Sequence, residues 1–140
     1  MDQTLSPLSA ADEQRLEEQR AVVTRYLDES GRQKFETAAG KLGTLRALLD
    51  ANVFRAEQTF ELQSMGIILG DVFVQDMGFH WVIVEDDYGR DPAIRYRDTS
   101  VILYPLTMIA KRIEAGEVVD VFDLYNGLAA RAGELIDGVR

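Results

Sequence analysis

The stretch HWVIVEDDYGRDPAIRY, residues 80–96 of a 140-residue chain, decides the fold. Residues 80–84 form a short, almost wholly apolar run, which is typical of a strand covered on both faces. Residues 86–90, which begin with two aspartates, predict a hairpin loop, because the glycine among them can adopt a positive φ angle. Residues 93–96 return as a second strand, and residues 101–104 follow another turn as a third. The pattern predicts a three-stranded antiparallel meander.

Helical patterns precede the meander. Ser9, with Asp12 three residues later, predicts a capped helix that extends to about residue 28. Leucines at helical spacing predict a shorter helix over residues 41–51. The most apolar helix is expected over residues 59–77, and it leads directly into the meander.

Two glycines, Gly66 and Gly70, lie four residues apart in this third predicted helix and make a smooth strip along it. Each costs about 1 kcal/mol relative to alanine in a helix interior, so we expect another group to approach the strip closely. A packed neighbouring element and a bound ligand are the two alternatives. We also expect Trp81 to be largely buried between the meander and this strip.

Two more helices are predicted after the meander. Pro105 suits the first residue of a helix, because its missing N–H would be unpaired there anyway, and Asp120 caps the last helix. The apolar positions of the last helix recur at intervals of four and three residues, namely Val121, Tyr125, Leu128, Ala132, Leu135 and Val139. This spacing suits packing within the domain or a homodimer seam, and we expect a monomer.

The expected fold class is α+β, with N-terminal helices, a three-stranded antiparallel meander, and C-terminal helices packed on the sheet. The length is that of one domain, and neither an internal repeat nor a linker divides the chain. We therefore expect residues 1–140 to form a single domain, with a loose N-terminal segment at residues 1–8.

Composition and charge exclude several classes of protein. The chain has no cysteine, which rules out disulfides, thiol catalysis and zinc–thiolate sites. Its formal net charge of -9 repels phosphate backbones, so we expect no nucleic-acid partner. The N-terminus lacks a secretory pattern, and the longest apolar stretch, residues 65–74, is too short to cross a membrane. These features predict a cytoplasmic protein without a membrane contact.

The densest group of polar residues surrounds the predicted hairpin loop. The candidate binding residues are Glu85, Asp86, Asp87, Tyr88 and Arg90. Their carboxylates suit a hard cation, a general acid and base, contact with a protein, or only the backbone N–H groups of a tight turn. The spacing of a calcium loop is not met, because the glycine follows Asp86 by three residues, and we expect no bound metal. Asp91 and Arg95 are expected to form a partly buried structural pair.

Signals for catalysis are weak. His80 is the only histidine, so a multi-histidine metal site is excluded, and we interpret His80 as a residue at the boundary of a strand. No serine lies in a G-x-S-x-G elbow, and no glycine run matches a phosphate-binding loop. The residues favour a non-catalytic protein without a cofactor over an enzyme.

Three strings resemble the bacterial DUF3806 family. They are LQSMGIILGD (residues 62–71), WVIVEDDYGRDPAIRY (residues 81–96) and YPLTMIAKRIEAGE (residues 104–117). The resemblance covers roughly residues 42–125. Because the family is a domain of unknown function, no catalytic residue carries over.

The resemblance implies a set of signature residues, of which Asp86 and Tyr88 are also candidate binding residues. The others are interpreted as structural, namely Trp81, Gly89, Asp91, Arg95, Pro105, Lys111 and Arg112. Lys111 and Arg112 suit the end of a helix, where they offset its dipole, and they could also reach toward the acidic hairpin.

The function expected from these features is that of a non-catalytic acidic binding module. Such a module would engage a protein partner, as an inhibitor or immunity-type protein does. One alternative is a small-ligand or metal-dependent site at the acidic hairpin loop, with or without catalysis. Another is a self-associating domain that uses the last helix.

Overall fold

Residues 3–139, which this computed structural model describes, form six α-helices and four β-strands. The helices are α1 (Ala10–Thr24), α2 (Glu29–Lys34), α3 (Ala38–Asp50), α4 (Thr59–Met77), α5 (Met108–Glu114) and α6 (Val121–Gly138). The strands are β1 (Thr4–Ser6), β2 (Phe79–Asp86), β3 (Gly89–Tyr96) and β4 (Ile102–Leu103). A 3-10 turn, Pro105–Thr107, precedes α5. The predicted α+β class is confirmed.

The sheet is antiparallel in the order β1-β2-β3-β4, so it has one strand more than the predicted meander. The added strand lies in the segment that was expected to be loose, and Leu5 pairs with Val84 of β2. Residues 1–2 of that segment lie outside the described residues. The prediction was wrong because the free edge of β2 carries unpaired backbone N–H and C=O groups, which an adjacent extended segment can pair. A three-residue strand has too few positions to show an alternating pattern.

The central part of β2 is buried on both faces, as its apolar run predicts. Val82, Ile83 and Val84 expose only 6%, 2% and 3% of their surface. Phe79 and Trp81 contribute to the main core, whereas Val82 and Val84 form a small cluster with side chains from the neighbouring strands. The alternation follows from the two-residue period of a strand.

Helix α4 is the centre of the fold and has the predicted bounds. It contacts α1, α3, α5, the 3-10 turn and β2, which explains why it is apolar around most of its circumference. A Cβ atom at Gly66 would lie 2.4 Å from the carbonyl oxygen of Pro105, and one at Gly70 would lie 2.6 Å from the ring of Trp81. The glycine strip therefore accommodates packed neighbouring elements, which is the first of the two predicted alternatives.

The N-terminal helical region is divided into more helices than predicted. Helix α1 has the predicted capping box, in which Ser9 and Asp12 satisfy each other's backbone N–H groups, but it ends at Thr24. Asp28 then caps the separate helix α2 by accepting a hydrogen bond from the backbone N–H of Gly31 at 2.7 Å. The first helix was predicted to extend to about residue 28, and α2 was not predicted, because a six-residue helix without buried residues has no apolar pattern.

The C-terminal helices complete the core. The 3-10 turn begins at Pro105, as the proline predicts, and contacts β3, whereas the main partners of α5 and α6 are α4 and α3. The apolar stripe of α6 starts as predicted, but Leu135 is 43% exposed and Ile136 is buried in its place. A helix with 3.6 residues per turn drifts away from a seam with a 3.5-residue period, so the contact face moves to the next position. The expected monomer stays a prediction, with self-association through α6 as its alternative.

Candidate functional site

The hairpin between β2 and β3 closes with a turn of only two residues. The strand register pairs Glu85 with Arg90 and Asp86 with Gly89, which leaves Asp87 and Tyr88 as the turn. An oxygen of the Asp86 carboxylate accepts a hydrogen bond from the backbone N–H of Tyr88 at 2.8 Å. The predicted five-residue loop is therefore too long, because the strand ladder continues through its flanking residues.

Side chains at this hairpin point into solvent. Tyr88 is 89% exposed, and Glu85 and Asp87, which precede it, are exposed as well. The side chain of Asp86, in contrast, accepts the hydrogen bond from the backbone of the turn. We refer to Glu85, Asp86, Asp87 and Tyr88 as the hairpin tip.

An ion pair braces the hairpin against the first helix. The guanidinium of Arg90 donates two hydrogen bonds to the carboxylate of Asp12, at 2.7 and 2.8 Å. The bond from Arg90, together with the backbone N–H of Ser9, holds the pKa of Asp12 well below its usual range, and Asp12 raises the pKa of Arg90. Arg90, predicted as a binding residue, therefore orients the hairpin tip through this brace.

The brace should make stability depend on pH in the acid range. Because the folded-state pKa of Asp12 is lowered, its contribution is present above the unfolded pKa of 3.8 and is lost as the pH falls below that value. We expect the stability difference between the wild type and Asp12→Asn to be largest at neutral pH and to shrink at about pH 3. Urea denaturation of both proteins at the two pH values measures this difference in the free energy of unfolding. Glu13→Gln, in the same helical turn, controls for the general loss of one negative charge, and an unchanged difference at acid pH would contradict the prediction.

The expected pair between Asp91 and Arg95 does not form. Residues four apart on a strand share a face, but they lie about 13 Å apart, beyond the reach of an ion pair. Asp91 pairs in the backbone ladder with Val84, whereas the Arg95 guanidinium donates to the carbonyl oxygen of Thr99 at 2.7 Å. Arg95 therefore supports the turn between β3 and β4, and Asp91 has an exposed carboxylate.

Trp81 belongs to a polar network that the sequence did not predict. Its indole N–H donates to the carboxylate of Asp71 at 3.0 Å, and the Arg20 guanidinium donates two further bonds to that carboxylate at 2.7 and 2.8 Å. The ring rests on Gly70 as predicted, but the side chain is half-buried rather than largely buried, because its polar edge reaches this network. The only feature of the sequence that could have indicated this network is Asp71, a carboxylate inside the most apolar helix.

A polar cleft of about 340 Å³ lies beside the hairpin, between α1, α4, β3 and the 3-10 turn. Its walls include Arg15, Gln19, Gln63, Asp91, Pro92 and Leu106. An adjoining cavity of about 260 Å³ shares Asp91 with it and brings Lys111 to the same region. Lys111 therefore does lie on the side of the hairpin that carries Asp91, whereas Arg112 is occupied by a hydrogen bond to the carbonyl oxygen of Met108 at 2.7 Å.

Carboxylate and histidine side chains of the described residues do not form a group of three or more that could hold a metal ion. Within residues 3–139, no helix is both long and apolar enough to cross a membrane.

The comparisons with known proteins agree with this fold. The family model described as "Domain of unknown function (DUF3806)" matches residues 41–125, which is more than half of the chain. The chain belongs to the DUF3806 family. No curated protein shows a significant match to it.

A crystal structure from Bacteroides thetaiotaomicron VPI-5482 is similar in fold, with a TM-score of 0.71 and 14% sequence identity. The match covers 92% of the present chain but only 48% of the other, so the DUF3806 chain spans about half the length of that protein.

The DUF3806 match includes the hairpin tip and the residues that α4, β3 and the 3-10 turn contribute to the polar cleft, whereas Arg15 and Gln19 of α1 precede it. Of the signature residues, Trp81 and Pro105 are packed against α4. Gly89 has a φ angle of 144°, which L-residues with a side chain rarely adopt, so it is needed by the turn.

Proposed function

We propose that this DUF3806 protein is a non-catalytic acidic binding module whose hairpin tip engages a basic surface of a protein partner. The observation that carries the proposal is Tyr88, which is 89% exposed on a two-residue turn, directly after the carboxylates of Glu85, Asp86 and Asp87. Tyrosine is enriched among the residues that dominate binding energy at protein interfaces, because it contributes a large contact area at low entropic cost.

The surroundings of Tyr88 support a protein partner. The bidentate pair between Arg90 and Asp12 holds the hairpin against α1, so little conformational entropy is lost when a partner binds. The exposed carboxylates of Glu85 and Asp87 and the net charge of -9 favour a basic partner and speed its association. An acidic module of this kind suits an inhibitor or immunity-type protein in the cytoplasm.

The test is affinity capture from a cell extract with purified protein, followed by titration of the captured partner. We expect one stoichiometric partner that Tyr88→Ala reduces in affinity by at least about tenfold, as for a central interface residue. Asp87→Asn should weaken binding less, and added salt should weaken it further, because surface charges are screened.

Val118→Ser is the matched control, because Val118 is 99% exposed and lies between α5 and α6, away from the hairpin. This variant should bind as the wild type does. Tyr88 has an exposed side chain, so its loss should change stability by about 0.5 kcal/mol or less. A partner that binds Tyr88→Ala as tightly as the wild type, or the lack of any stoichiometric partner, would refute the proposal.

A further inference from the structure

Gln19 is a buried polar residue whose side chain has no hydrogen-bond partner among the described residues. It exposes only 2% of its surface, yet its amide forms no hydrogen bond with other residues in the range 3–139. In the same range, no side-chain nitrogen or oxygen is both fully buried and unpaired. The amide must therefore keep a narrow access to solvent, and the cavity that it lines is the polar cleft. A buried amide normally finds a hydrogen-bond partner, so Gln19 indicates a partner from outside the chain.

Arg15 supplies an unpaired positive charge at the same cleft. Its guanidinium carbon lies 4.9 Å from the centre of the Phe60 ring, which is within the range of a cation–π contact. Among the described residues, Arg15 has no carboxylate within ion-pair distance. A guanidinium in such a contact keeps N–H groups available, and these groups suit a carboxylate.

Asp91 supplies an unpaired negative charge across the cleft. Its side chain forms neither a hydrogen bond nor an ion pair with residues 3–139, and it is exposed. Arg90, the other charged group of the cleft, is neutralised by Asp12. The cleft thus has one available cation, one available carboxylate, and the amides of Gln19 and Gln63.

We propose that the polar cleft binds a free α-amino acid. Arg15 and the amide of Gln19 would bind the carboxylate of the ligand, and Asp91 would bind its ammonium group. The volume of about 340 Å³ lies at the low end for ligand sites, which suits a small zwitterion. This site is separate from the exposed hairpin tip, and the proposal does not depend on the proposed protein contact.

The test is a titration of the full ¹⁵N-labelled chain with each of the twenty common L-amino acids, followed by NMR. Gln19→Met and Gln63→Met assign the two side-chain amide signals. We expect at least one amino acid to shift the Gln19 signal with a dissociation constant of about 1 mM or lower. Its deaminated analogue, which keeps the carboxylate and the side chain, should bind at least about tenfold more weakly, because it lacks the charge-assisted contact with Asp91.

Substitutions in the cleft distinguish the contact with the carboxylate of the ligand from the contact with its ammonium group. Arg15→Met should weaken the amino acid and the deaminated analogue alike, whereas Asp91→Asn should weaken only the amino acid. Arg32→Met is the control, because Arg32 is exposed on α2 outside the cleft. Gln19→Met should abolish binding and leave the midpoint of urea denaturation unchanged, because the amide has no protein partner to lose.

Two outcomes would overturn the proposal. One is that none of the amino acids shifts the Gln19 amide, which would mean that only water occupies the cleft. The other is binding that Arg15→Met and Asp91→Asn leave unchanged. Because Arg15 and Asp91 are exposed and form no ion pair with residues 3–139, both variants should fold, so a negative result cannot be attributed to unfolding.

Discussion

Asp71→Ala is expected to lower the free energy of unfolding by about 2–4 kcal/mol, the range for breaking a partly buried ion pair with its hydrogen bonds. The carboxylate accepts two bonds from Arg20 and one from the indole of Trp81. The side chains of Asp71 and Arg20 are only 15% and 27% exposed, so the substitution leaves a poorly solvated charge. Glu17 keeps one contact with Arg20, which holds the loss below that of a fully buried pair.

Urea denaturation measures this loss, and the emission of the single tryptophan reports whether its polar edge has changed surroundings. Asp50→Ala is the matched control, because Asp50 is 73% exposed and its pair with Arg46 spans 3.8 Å. That variant should lose less than about 1 kcal/mol. The double variant Arg20→Met/Asp71→Ala should be more stable than the sum of the two single losses predicts, because no charge is left unpaired. Strictly additive losses would contradict the network.

Gly66→Ala is expected to destabilise the protein by about 2 kcal/mol, although alanine is the better helix former by about 1 kcal/mol. A Cβ atom at this position would lie 2.4 and 2.6 Å from the carbonyl oxygens of Pro105 and Leu106. These are backbone atoms, so the whole 3-10 turn would have to move away from α4. The loss should therefore exceed that of a clash with a flexible side chain.

Gly43→Ala is the control for Gly66→Ala. Gly43 lies in the interior of α3, and a Cβ atom there would meet no atom within 4 Å. This variant should gain about 0.5–1 kcal/mol from helix propensity alone. Thermal or urea denaturation of the two variants should thus give changes of opposite sign. A Gly66→Ala protein as stable as the wild type would show that the turn is not held against α4.

Local signals predicted the elements that depend on short-range chemistry. The capping box at Ser9 and Asp12, the bounds of α4, and the proline at the start of the 3-10 turn were all expected. The capping box and the proline depend on groups within about one helical turn of each other, so the residues and their spacing contain the information. The bounds of α4 follow instead from the length of its apolar pattern. The hairpin was also expected, but its length was overestimated because the strand ladder depends on the partner strand.

Of the two candidate sites, the hairpin tip comes from one segment of the sequence, whereas the polar cleft is assembled from several. The sequence marked Tyr88 as a candidate binding residue of the acidic hairpin loop, but its exposure follows from its place in a two-residue turn that was not predicted. The polar cleft, in contrast, combines Gln19 of α1 with Gln63 of α4 and Asp91 of β3. These residues lie far apart in sequence, and neither glutamine had a pattern that distinguished it from a residue on a solvated helix face.

The sequence by itself determined the α+β class, the central apolar helix, the acidic hairpin and the membership of the DUF3806 family. Tertiary structure decided which charges meet, because Arg90 and Asp12 are 78 positions apart and Arg20 and Asp71 are 51 apart. It also decided that β1 joins the sheet and that the carboxylate of Asp91 has no partner within residues 3–139. The physical reason is that an ion pair or an edge strand depends on a distance of a few ångströms in space, which only the packing of the helices around α4 brings about.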